Sequence, residues 1–407
     1  MKIKQRLLPI IKLGNKEFIM NLANVIGIII CIYLPSSQNS VNYGADHLVF
    51  VWAVLIVVVL LISWCNRIKT KQLALSMFGL NAYMLFVTAL GGEIFGNARI
   101  SIARFVPIIS LLVLCSLRIK NYPSLKLMKL LLSIVSITIA IWNVLILLKV
   151  QFVLDFSWNN YAQYGPLTVY YQIIVGHKPV MPFGVHTYAP YFYFLLFLLC
   201  FATFREEGNK VYFFYALLYT TFCLFCKSST STIYFAIMFL FLIHHFCKSL
   251  TLQKFIFIFG IIFFVLLLIY SNFSELYETL YINFTGGNNS FISRYSSESV
   301  FKTNFEIITS SLGIGYNIMD NLDISYSDSG YVLYMTMGNL PFAATIYYLL
   351  YKFLKENLSY YQTIILLVVF SFEVALPATF SYRFSYMILF IICYLGSLKM
   401  NSNNSVL

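Results

Sequence analysis

Two polar stretches interrupt an otherwise apolar chain, and both carry ionisable residues of types that bind anions or transfer protons. The first, GHKPVMPFGVHTYAP, contains His177, Lys178 and His186. The second opens at SRYSSES with Arg294 and continues through LGIGYN to DSGYVLYMTMGNLPF, which begins at Asp328. Arginine and lysine bind phosphate or carboxylate oxygens, while aspartate and histidine can accept a proton from a hydroxyl group. Which of these roles applies depends on the elements that hold the two stretches.

The composition is that of a protein embedded in lipid. Hydrophobic residues make up 60% of the 407 positions and charged residues 10%, with a mean hydropathy of +0.80. Soluble domains are about one quarter charged, so a soluble globular fold is excluded. The formal net charge of +12 does not indicate nucleic-acid binding, because the basic residues are spread over short loops and form no concentrated patch.

Apolar runs that approach the length of a membrane-spanning helix recur along the chain, since about 20 apolar residues cross a bilayer. We therefore predict an all-α, polytopic integral membrane protein with about twelve transmembrane helices in a single transmembrane domain over residues 1–407. The runs lie near residues 18–35, 46–65, 73–92, 102–117, 127–150, 188–204, 211–226, 232–246, 255–270, 331–350, 360–378 and 383–398. An even number of spans places both termini on the same side.

The distribution of charge predicts that this side is the cytoplasm, because basic residues accumulate on the cytoplasmic side of membranes. With both termini inside, the inner side receives nineteen basic and four acidic residues, and the outer side receives eight basic and eleven acidic residues. The start of the chain, MKIKQRLLPIIKLGNK, has no small-residue cleavage site close behind a short apolar core. We expect it to be a retained cytoplasmic tail rather than a cleaved signal peptide.

Two connections are long, and the predicted topology puts both on the outer face. They cover residues 151–187 and 271–330. Loops of this length are usually either functional or disordered. Both contain aromatic residues, apolar residues and patterned glycines, which favours ordered structure.

Within the second long loop, the spacing of apolar residues predicts a short helix lying at the membrane surface. We expect this helix to end at Gly313 and Gly315, because glycine enters positive φ at little cost. Asp328 follows at the mouth of the next span, and Gly338 lies ten residues deeper. The apolar residues close to one face of the predicted helix are Val300, Phe301, Phe305 and Ile308.

The second stretch resembles a characteristic region of the Wzy-type O-antigen polymerases. An arginine opening a polar outer loop, an amphipathic stretch, LGIGYN and then DSGYVLYMTMGNLPF are similar to the second long periplasmic loop and following helix of that family. GHKPVMPFGVHTYAP resembles the family's other long loop. The motifs touch residues 151–195 and 290–342, whereas the topology of the whole chain is similar to that of the wider superfamily of O-antigen polymerases and ligases. The resemblance implies a multi-pass protein of the cell inner membrane with a periplasmic active face.

The resemblance also implies a reaction, in which a glycan carried on undecaprenyl pyrophosphate is transferred to a hydroxyl group of a second lipid-linked repeat unit. The departing pyrophosphate needs positioned cations, and the acceptor hydroxyl needs a base. Arg294 is the first candidate for stabilising the pyrophosphate, and Asp328 or His186 for accepting the proton. The further candidates for binding pyrophosphate or glycan are Lys178, Arg104, Arg383 and His177, and the glycines expected to shape the loops are Gly313, Gly315 and Gly338.

The expected reaction uses neither a metal ion nor another cofactor. No DxD pair or acidic cluster at metal-binding spacing occurs in the sequence of the outer loops. The resemblance implies undecaprenyl-pyrophosphate-linked oligosaccharides and membrane lipids as binding partners, together with a chain-length regulator and a flippase of the same pathway. Nucleic acid is not among the expected partners.

Each candidate residue also has a structural interpretation. Arg294 could contact lipid headgroups, and Asp328 could cap the helix that follows it. His186 could be a polar anchor at the membrane interface, while Arg104 and Arg383 could extend their guanidinium groups to that interface. These interpretations predict no direct role in glycan transfer.

Three other functions remain open at the level of the sequence. An O-antigen ligase would differ only in its acceptor, lipid A core, but the ligases have a functional histidine where this chain has Asp328, which favours a polymerase. A flippase or other transporter fits the number of spans, although no repeated halves are visible. An anchoring or assembly protein without catalytic activity would tolerate replacement of any single charged residue in the outer loops.

Overall fold

Long apolar helices account for most of the chain in the computed structural model. It describes residues 16–34, 47–95, 98–100, 102–161, 171–184, 186, 188–247, 305–309, 311–319, 329–359, 362–363, 366, 379 and 381–404. A helix satisfies its own backbone hydrogen bonds, so it is the structure expected of apolar runs that have no water to bond to. The prediction of a mainly helical protein is confirmed.

The main helices in the described part of the chain are numbered here in chain order. They are α1 (Lys16–Tyr33), α2 (His47–Cys65), α3 (Thr70–Leu75, Ser76–Leu80 and Asn81–Phe95 in succession), α4 (Ile102–Cys115), α5 (Leu125–Leu147), α6 (Gln151–Asn160), α7 (Ala189–Glu207), α8 (Lys210–Phe225), α9 (Ser229–Cys247), α10 (Gly330–Asn357) and α11 (Tyr382–Asn404). The strands are β1 (Arg67–Ile68), β2 (Ala98–Ile100), β3 (Leu117–Arg118) and β4 (Asn317–Met319). They form two antiparallel pairs, β1 with β3 and β2 with β4.

Several of these helices could cross a membrane. Within the described residues, five are long and apolar enough: Lys16–Tyr33, Thr70–Gly91, Leu125–Leu147, Ala189–Glu207 and Tyr382–Asn401. Shorter apolar helices cover Ala53–Cys65, Arg104–Cys115, Lys210–Phe225 and Thr230–His245. The number of twelve spans stays a prediction, and the predicted runs 255–270 and most of 360–378 lie outside the described residues.

The chain divides into two compact units. The first comprises Met1–Ile137, Gln163–Pro166 and Val300–Leu407, and the second comprises Thr138–Ala162 and Leu167–Ser299. In the first unit, α4 packs against α2 and α10, and α11 packs against α2 and the last turn of α1. In the second unit, α7, α8 and α9 pack against one another.

Asparagine side chains fix the end of the first unit where β1 pairs with β3. The Oδ1 atom of Asn66 accepts hydrogen bonds from the backbone amides of Lys120 and Asn121, at 2.7 and 2.8 Å. The Oδ1 atom of Asn357, the last residue of α10, accepts a 2.8 Å bond from the amide of Ile119. These bonds hold the end of α10 beside β3, and so fix the position of the helix that carries the candidate site.

Candidate functional site

Helix α10 is interrupted in its middle. Gly338 has φ −151° and ψ 24°, and Asn339 has φ 58° and ψ −169°, neither of which is helical. Pro341 has no N–H group, so the carbonyl of Met337 lacks the donor that normally lies four residues later. The amide of Leu340 donates to the Oδ1 atom of Asn339 at 2.7 Å, a bond to a side chain within the interrupted turn. Two backbone carbonyls at the break accept hydrogen bonds from outside the helix.

A loop from earlier in the chain occupies these acceptors. Residues 311–317 (SLGIGYN), called the glycine loop below, pass beside the break. The amide of Ile314 donates to the carbonyl of Thr336 at 3.0 Å, and the amide of Gly315 donates to the carbonyl of Met337 at 2.7 Å. The loop thus supplies a hydrogen-bond donor to each of these two carbonyls.

Side chains of two residues near the break also donate hydrogen bonds to backbone carbonyls of the loop segment and of α10. The Nδ2 atom of Asn339 donates to the carbonyls of Ile308 and Ser311, at 2.9 and 3.0 Å. The hydroxyl of Tyr83, on α3, donates to the carbonyl of Gly338 at 2.8 Å. Buried backbone groups are almost always paired, and here the break and the loop pair each other.

The glycines allow this close approach. Gly313 has φ 110° and Gly315 has φ 63°, conformations that residues with a side chain rarely adopt. A Cβ atom on Gly313 would lie 2.6 Å from the carbonyl oxygen of Met337, and one on Gly315 would overlap Thr88. A Cβ atom on Gly338 would come within 2.6 Å of its neighbour one turn later. Each of these three positions therefore requires glycine.

Helix α3 supports the other side of the glycine loop. The Oγ1 atom of Thr88 accepts a 3.0 Å bond from the amide of Tyr316, and its carbonyl accepts a 2.7 Å bond from the Nδ2 atom of Asn317. The hydroxyl of Tyr316 donates to the Oδ1 atom of Asn81 at 2.7 Å. Burial raises the pKa of the Tyr316 phenol well above its ordinary value of 10, so the group stays protonated and acts as a donor.

The start of helix α4 lies next to the glycine loop. Strand β4, which continues the loop, pairs with β2, and α4 begins directly after β2. The rings of Phe105 and Tyr316 meet edge to face with their centroids 5.2 Å apart. The neighbouring Arg104 is 3% exposed, and its Nη1 and Nη2 atoms have no hydrogen-bond partner among the residues that the structure describes. This burial does not fit the interpretation that Arg104 extends its guanidinium group to the membrane interface.

Arg383, by contrast, has an evident structural contact. It lies in the first turn of α11, is 4% exposed, and donates from Nη2 to the carbonyl of Leu34 at 3.2 Å. That carbonyl follows the last turn of α1, where unpaired carbonyls attract a positive charge. The guanidinium carbon also lies 5.8 Å from the centroid of the Tyr382 ring. Capping of α1 accounts for part of the role of Arg383.

In the second unit, one glutamine connects the candidate residues of the first long loop. The carbonyl of Gln172 accepts a 2.8 Å hydrogen bond from the amide of Lys178, and its Oε1 atom accepts a 2.7 Å bond from the amide of His186. His177 has φ 44°, an uncommon conformation for a residue other than glycine. Gln172 therefore holds Lys178 and His186 close to each other, and His177 directly precedes Lys178. The arrangement of these three residues around Gln172 is called the turn below.

Buried polar groups on the adjoining helices fix this turn. Asn143 exchanges two hydrogen bonds with the backbone of Met181, from Nδ2 to the carbonyl at 2.8 Å and from the amide to Oδ1 at 3.0 Å. The hydroxyl of Tyr193 donates to the carbonyl of Pro179 at 2.8 Å. The Oγ atom of Ser228 donates to the carbonyl of His186 at 3.1 Å.

The charge of a lysine acts on His177. Burial of the imidazole and the positive charge of Lys149 both lower the pKa of His177 from its ordinary value of 6.5, while a backbone hydrogen bond with Ile173 opposes them. Lys149 itself has φ 59°. The neutral imidazole is the favoured form, and this is the form that accepts a proton.

The structure brings several of the predicted site residues together in two groups, one within each unit. Gly313, Gly315 and Gly338 meet at the break in α10, close to the start of α4. His177, Lys178 and His186 share the turn in the second unit. The predicted residues Arg294 and Asp328 lie outside the described residues, as do Val300 and Phe301 of the predicted surface helix.

The surface helix differs in detail from the prediction. Residues 305–309 are helical, but the buried side chain is Ile307, which is 2% exposed, whereas Phe305 is 55% exposed. The buried face is therefore rotated relative to the one expected from Phe305 and Ile308. The glycine loop starts two residues after this helical segment, and Asn339 of α10 donates to the carbonyl of Ile308 within the segment.

Sequence reasoning missed the polar residues that fix the two groups, namely Asn339, Thr88, Gln172 and Asn143. The motif GNLP, which places a proline three residues after a glycine inside an apolar run, was a signal for the break. Thr88 and Asn143 carried no comparable signal, since a single polar residue in an apolar helix is common.

No protein-family model, curated protein or solved structure matches the chain. Its chemistry is therefore inferred from its own residues and from the resemblance described above.

Proposed function

We propose that the protein is an O-antigen polymerase. It would join oligosaccharide repeat units carried on undecaprenyl pyrophosphate into a polymer at the periplasmic face of the cell inner membrane. Both termini would be cytoplasmic, and the loops 151–187 and 271–330 would be periplasmic.

The observation that supports this proposal best is the ordered contact between the glycine loop and the break in α10. The loop LGIGYN and the segment MGNLPF belong to the stretch that resembles the polymerases, and in three dimensions they contact each other through Gly315 and Met337. Irregular backbone at membrane depth is tolerated where it is buried in protein or lines a cavity, and broken helices are common at substrate sites of membrane proteins. A lipid-linked substrate needs such a site beside an apolar surface.

The proposed reaction transfers one glycan in each cycle. A hydroxyl oxygen of the acceptor forms a bond to the anomeric carbon of the donor, and the bond from that carbon to the pyrophosphate oxygen breaks. Asp328 or His186 would accept the hydroxyl proton, and undecaprenyl pyrophosphate would leave with the electron pair. Arg294 would stabilise the negative charge of the leaving group.

The remaining candidates would bind the pyrophosphate or the glycan. They are Lys178, Arg104, Arg383 and His177. Positioned charged donors in a partly dry site contribute roughly 3–4 kcal/mol each to transition-state stabilisation. The reaction as proposed needs no cofactor, and a chain-length regulator and a flippase of the pathway would act alongside it.

The test is to reconstitute the purified full-length chain in liposomes with a polyprenyl-pyrophosphate-linked repeat unit. We expect a ladder of polymers, with one polyprenyl pyrophosphate released for each new glycosidic bond. Arg294→Ala should reduce product formation by about a hundredfold or more. Arg205→Ala, which changes an exposed arginine at the end of α7, is the matched control and should leave the rate unchanged. Normal polymer from Arg294→Ala at normal expression would refute the assigned role of Arg294.

A flippase is the second candidate, because a broken helix is also typical of transporters. In the same liposomes a flippase would move the lipid-linked unit across the bilayer without forming a covalent product. A ligase would give a product only when lipid A core is supplied as the acceptor. Either result would overturn the polymerase proposal.

A further inference from the structure

Arg104 lies on the inward face of α4. Counting along the helix, Ile108, Leu111 and Cys115 follow it at helical spacing, and all three are buried. Phe105, the next residue along the chain, is 39% exposed, and its ring contacts the buried Tyr316. The side chain of Arg104 is therefore enclosed by protein.

The enclosed guanidinium group has unused hydrogen-bonding capacity. Its Nη1 and Nη2 atoms are buried and have no partner within the described part of the chain. An unpaired buried charge costs several kcal/mol, so a folded protein keeps one where something else supplies the opposite charge. The fork of N–H groups in arginine suits the oxygen atoms of an anion.

A second feature at the same end of α4 favours an anion. The helix spans 14 residues, and the backbone amides of its first turn have no carbonyl acceptor within the helix. These amides carry the positive end of the helix dipole. Side chains on a helix lean towards its N-terminus, so the Arg104 side chain extends towards the same end as these amides.

We propose that Arg104 and the first turn of α4 form a binding site for a phosphate group. The group belongs either to the headgroup of a lipid or to free inorganic phosphate or pyrophosphate. The site lies beside the glycine loop, because Phe105 contacts Tyr316. The proposal deepens the binding role that the proposed function gives to Arg104, but its test measures phosphate binding alone, so its failure is distinguishable from a failure of glycan transfer.

The site makes a specific prediction about stability. If no phosphate is bound, Arg104 is an unpaired buried charge, and Arg104→Gln should raise the melting temperature of the ligand-free protein. If Arg104 instead served the fold through a contact within the protein, the same substitution would lower the melting temperature. The matched control is Arg118→Gln, which changes an exposed arginine near the other end of α4.

The experiment uses the full-length protein purified in detergent. The protein is washed until the amount of phosphorus per protein molecule no longer changes. Melting temperatures are then measured with inorganic phosphate, inorganic pyrophosphate and geranyl pyrophosphate, each against chloride at the same ionic strength. We expect a saturable rise for the unmodified protein and for Arg118→Gln, and no rise for Arg104→Gln. A rise with the inorganic ions identifies free phosphate as sufficient, whereas a rise with geranyl pyrophosphate alone identifies a lipid headgroup.

A second measurement, of retained phosphorus, and a second variant, Arg104→Lys, complete the test. Phosphorus that stays with the unmodified protein and Arg118→Gln but not with Arg104→Gln also supports the site. Should Arg104→Gln fail to fold, Arg104→Lys replaces it, because it keeps the charge but loses the fork, and its affinity should fall by about tenfold. Equal responses of the variants and the unmodified protein, or no response and no retained phosphorus in any of them, would overturn the proposal.

Discussion

At the scale of single residues, Arg104 and Arg383, two buried arginines in the described part of the first unit, behave differently. Arg383 donates to the carbonyl that follows α1, so part of its charge is used by the fold. Arg104 has two terminal nitrogen atoms without a partner among the described residues. Burial alone therefore does not distinguish a structural cation from one that binds a ligand, whereas its hydrogen bonds do.

Glycine substitutions test the close approach of the loop to α3. Gly315→Ala should destabilise the protein by roughly 3 kcal/mol, because it combines an unfavourable positive φ with overlap against Thr88. The measurement is the melting temperature in detergent, read by fluorescence-detected size-exclusion chromatography.

Substitutions at two other glycines separate the cost of the positive φ from the cost of steric overlap. Gly208 has φ 68° but nothing within 4 Å, so Gly208→Ala should cost about 1–2 kcal/mol, the effect of backbone conformation alone. Gly79 lies inside α3 with nothing within 4 Å, and Gly79→Ala should be neutral or stabilising by up to about 1 kcal/mol. Equal losses at all three positions would contradict the proposed overlap.

The pH dependence of the second unit follows from His177. Its folded pKa lies below the ordinary 6.5, so acid favours the unfolded state, and stability is lost as the pH falls below 6.5 towards the folded pKa. Lys149→Met removes the nearby positive charge and should raise the pKa of His177. Titration of the imidazole signals by NMR, assigned with His177→Gln, measures the shift. Lys149→Arg keeps the charge and should leave the pKa unchanged; a shift with Arg as large as with Met would contradict the electrostatic cause.

At the scale of elements, α10 and the glycine loop complete each other. Two carbonyls of the helix, those of Thr336 and Met337, accept hydrogen bonds from two amides of the loop, those of Ile314 and Gly315. Asn339 adds two bonds to the segment that precedes the glycines. Its φ and ψ fall in a region that is almost restricted to glycine, and such strain clusters at functional sites.

Substitutions at Asn339 separate strain from hydrogen bonding. Asn339→Ala removes the two bonds to the carbonyls of Ile308 and Ser311 and the bond that Oδ1 accepts from the amide of Leu340, and it keeps the strain. The glycine loop should therefore detach more often, and the amides of Ile314 and Gly315 should exchange hydrogen faster. Asn339→Gly removes the same bonds but relieves about 1–3 kcal/mol of strain, and should be the more stable variant. Hydrogen exchange measured by mass spectrometry covers both amides. Unchanged exchange in Asn339→Ala would show that its bonds do not hold the loop.

Much of the helical framework was predictable from the sequence, and GNLP was a local signal for the break, but the contact of the glycine loop with the break was not predictable. Apolar runs predicted 127–150, 188–204 and 211–226, close to the observed α5, α7 and α8, because an apolar segment without water must form its own backbone bonds. The run 331–350 was predicted as one uninterrupted span, although Gly338 was expected to shape the site. The break depends on donors from residues 314 and 315, and a contact between distant segments has no signature in the local pattern of hydrophobicity.

At the scale of the whole molecule, the helices are compatible with a membrane protein, and the charge distribution predicts its orientation. Arg205 and Lys210 flank the turn between α7 and α8, which is expected inside. Lys149, directly after α5, is expected outside. All three positions belong to the second unit. Lys149 precedes α7 in the sequence, whereas Arg205 and Lys210 lie at its C-terminal end.

Cysteine labelling tests this orientation. The native cysteines that the structure describes are buried, and replacing Cys247 by serine removes the one whose side chain is not described. In that background Lys149→Cys should react with a membrane-impermeant maleimide in intact spheroplasts, and Glu206→Cys should react only after permeabilisation. Both positions are exposed, so accessibility is matched. The reverse pattern would overturn the predicted topology.

The interrupted helix also has a consequence for biosynthesis. The amides of Ile314 and Gly315 and the hydroxyl of Tyr83, which donate to the carbonyls of Thr336, Met337 and Gly338, belong to the glycine loop and to α3, and both are translated before α10. When this segment leaves the ribosome, these donors have already been synthesised, so the three carbonyls can be paired without residues that are translated later. A circular permutation that placed Gly330–Asn357 ahead of residues 305–319 would reverse that order, and membrane insertion of α10 should then become inefficient.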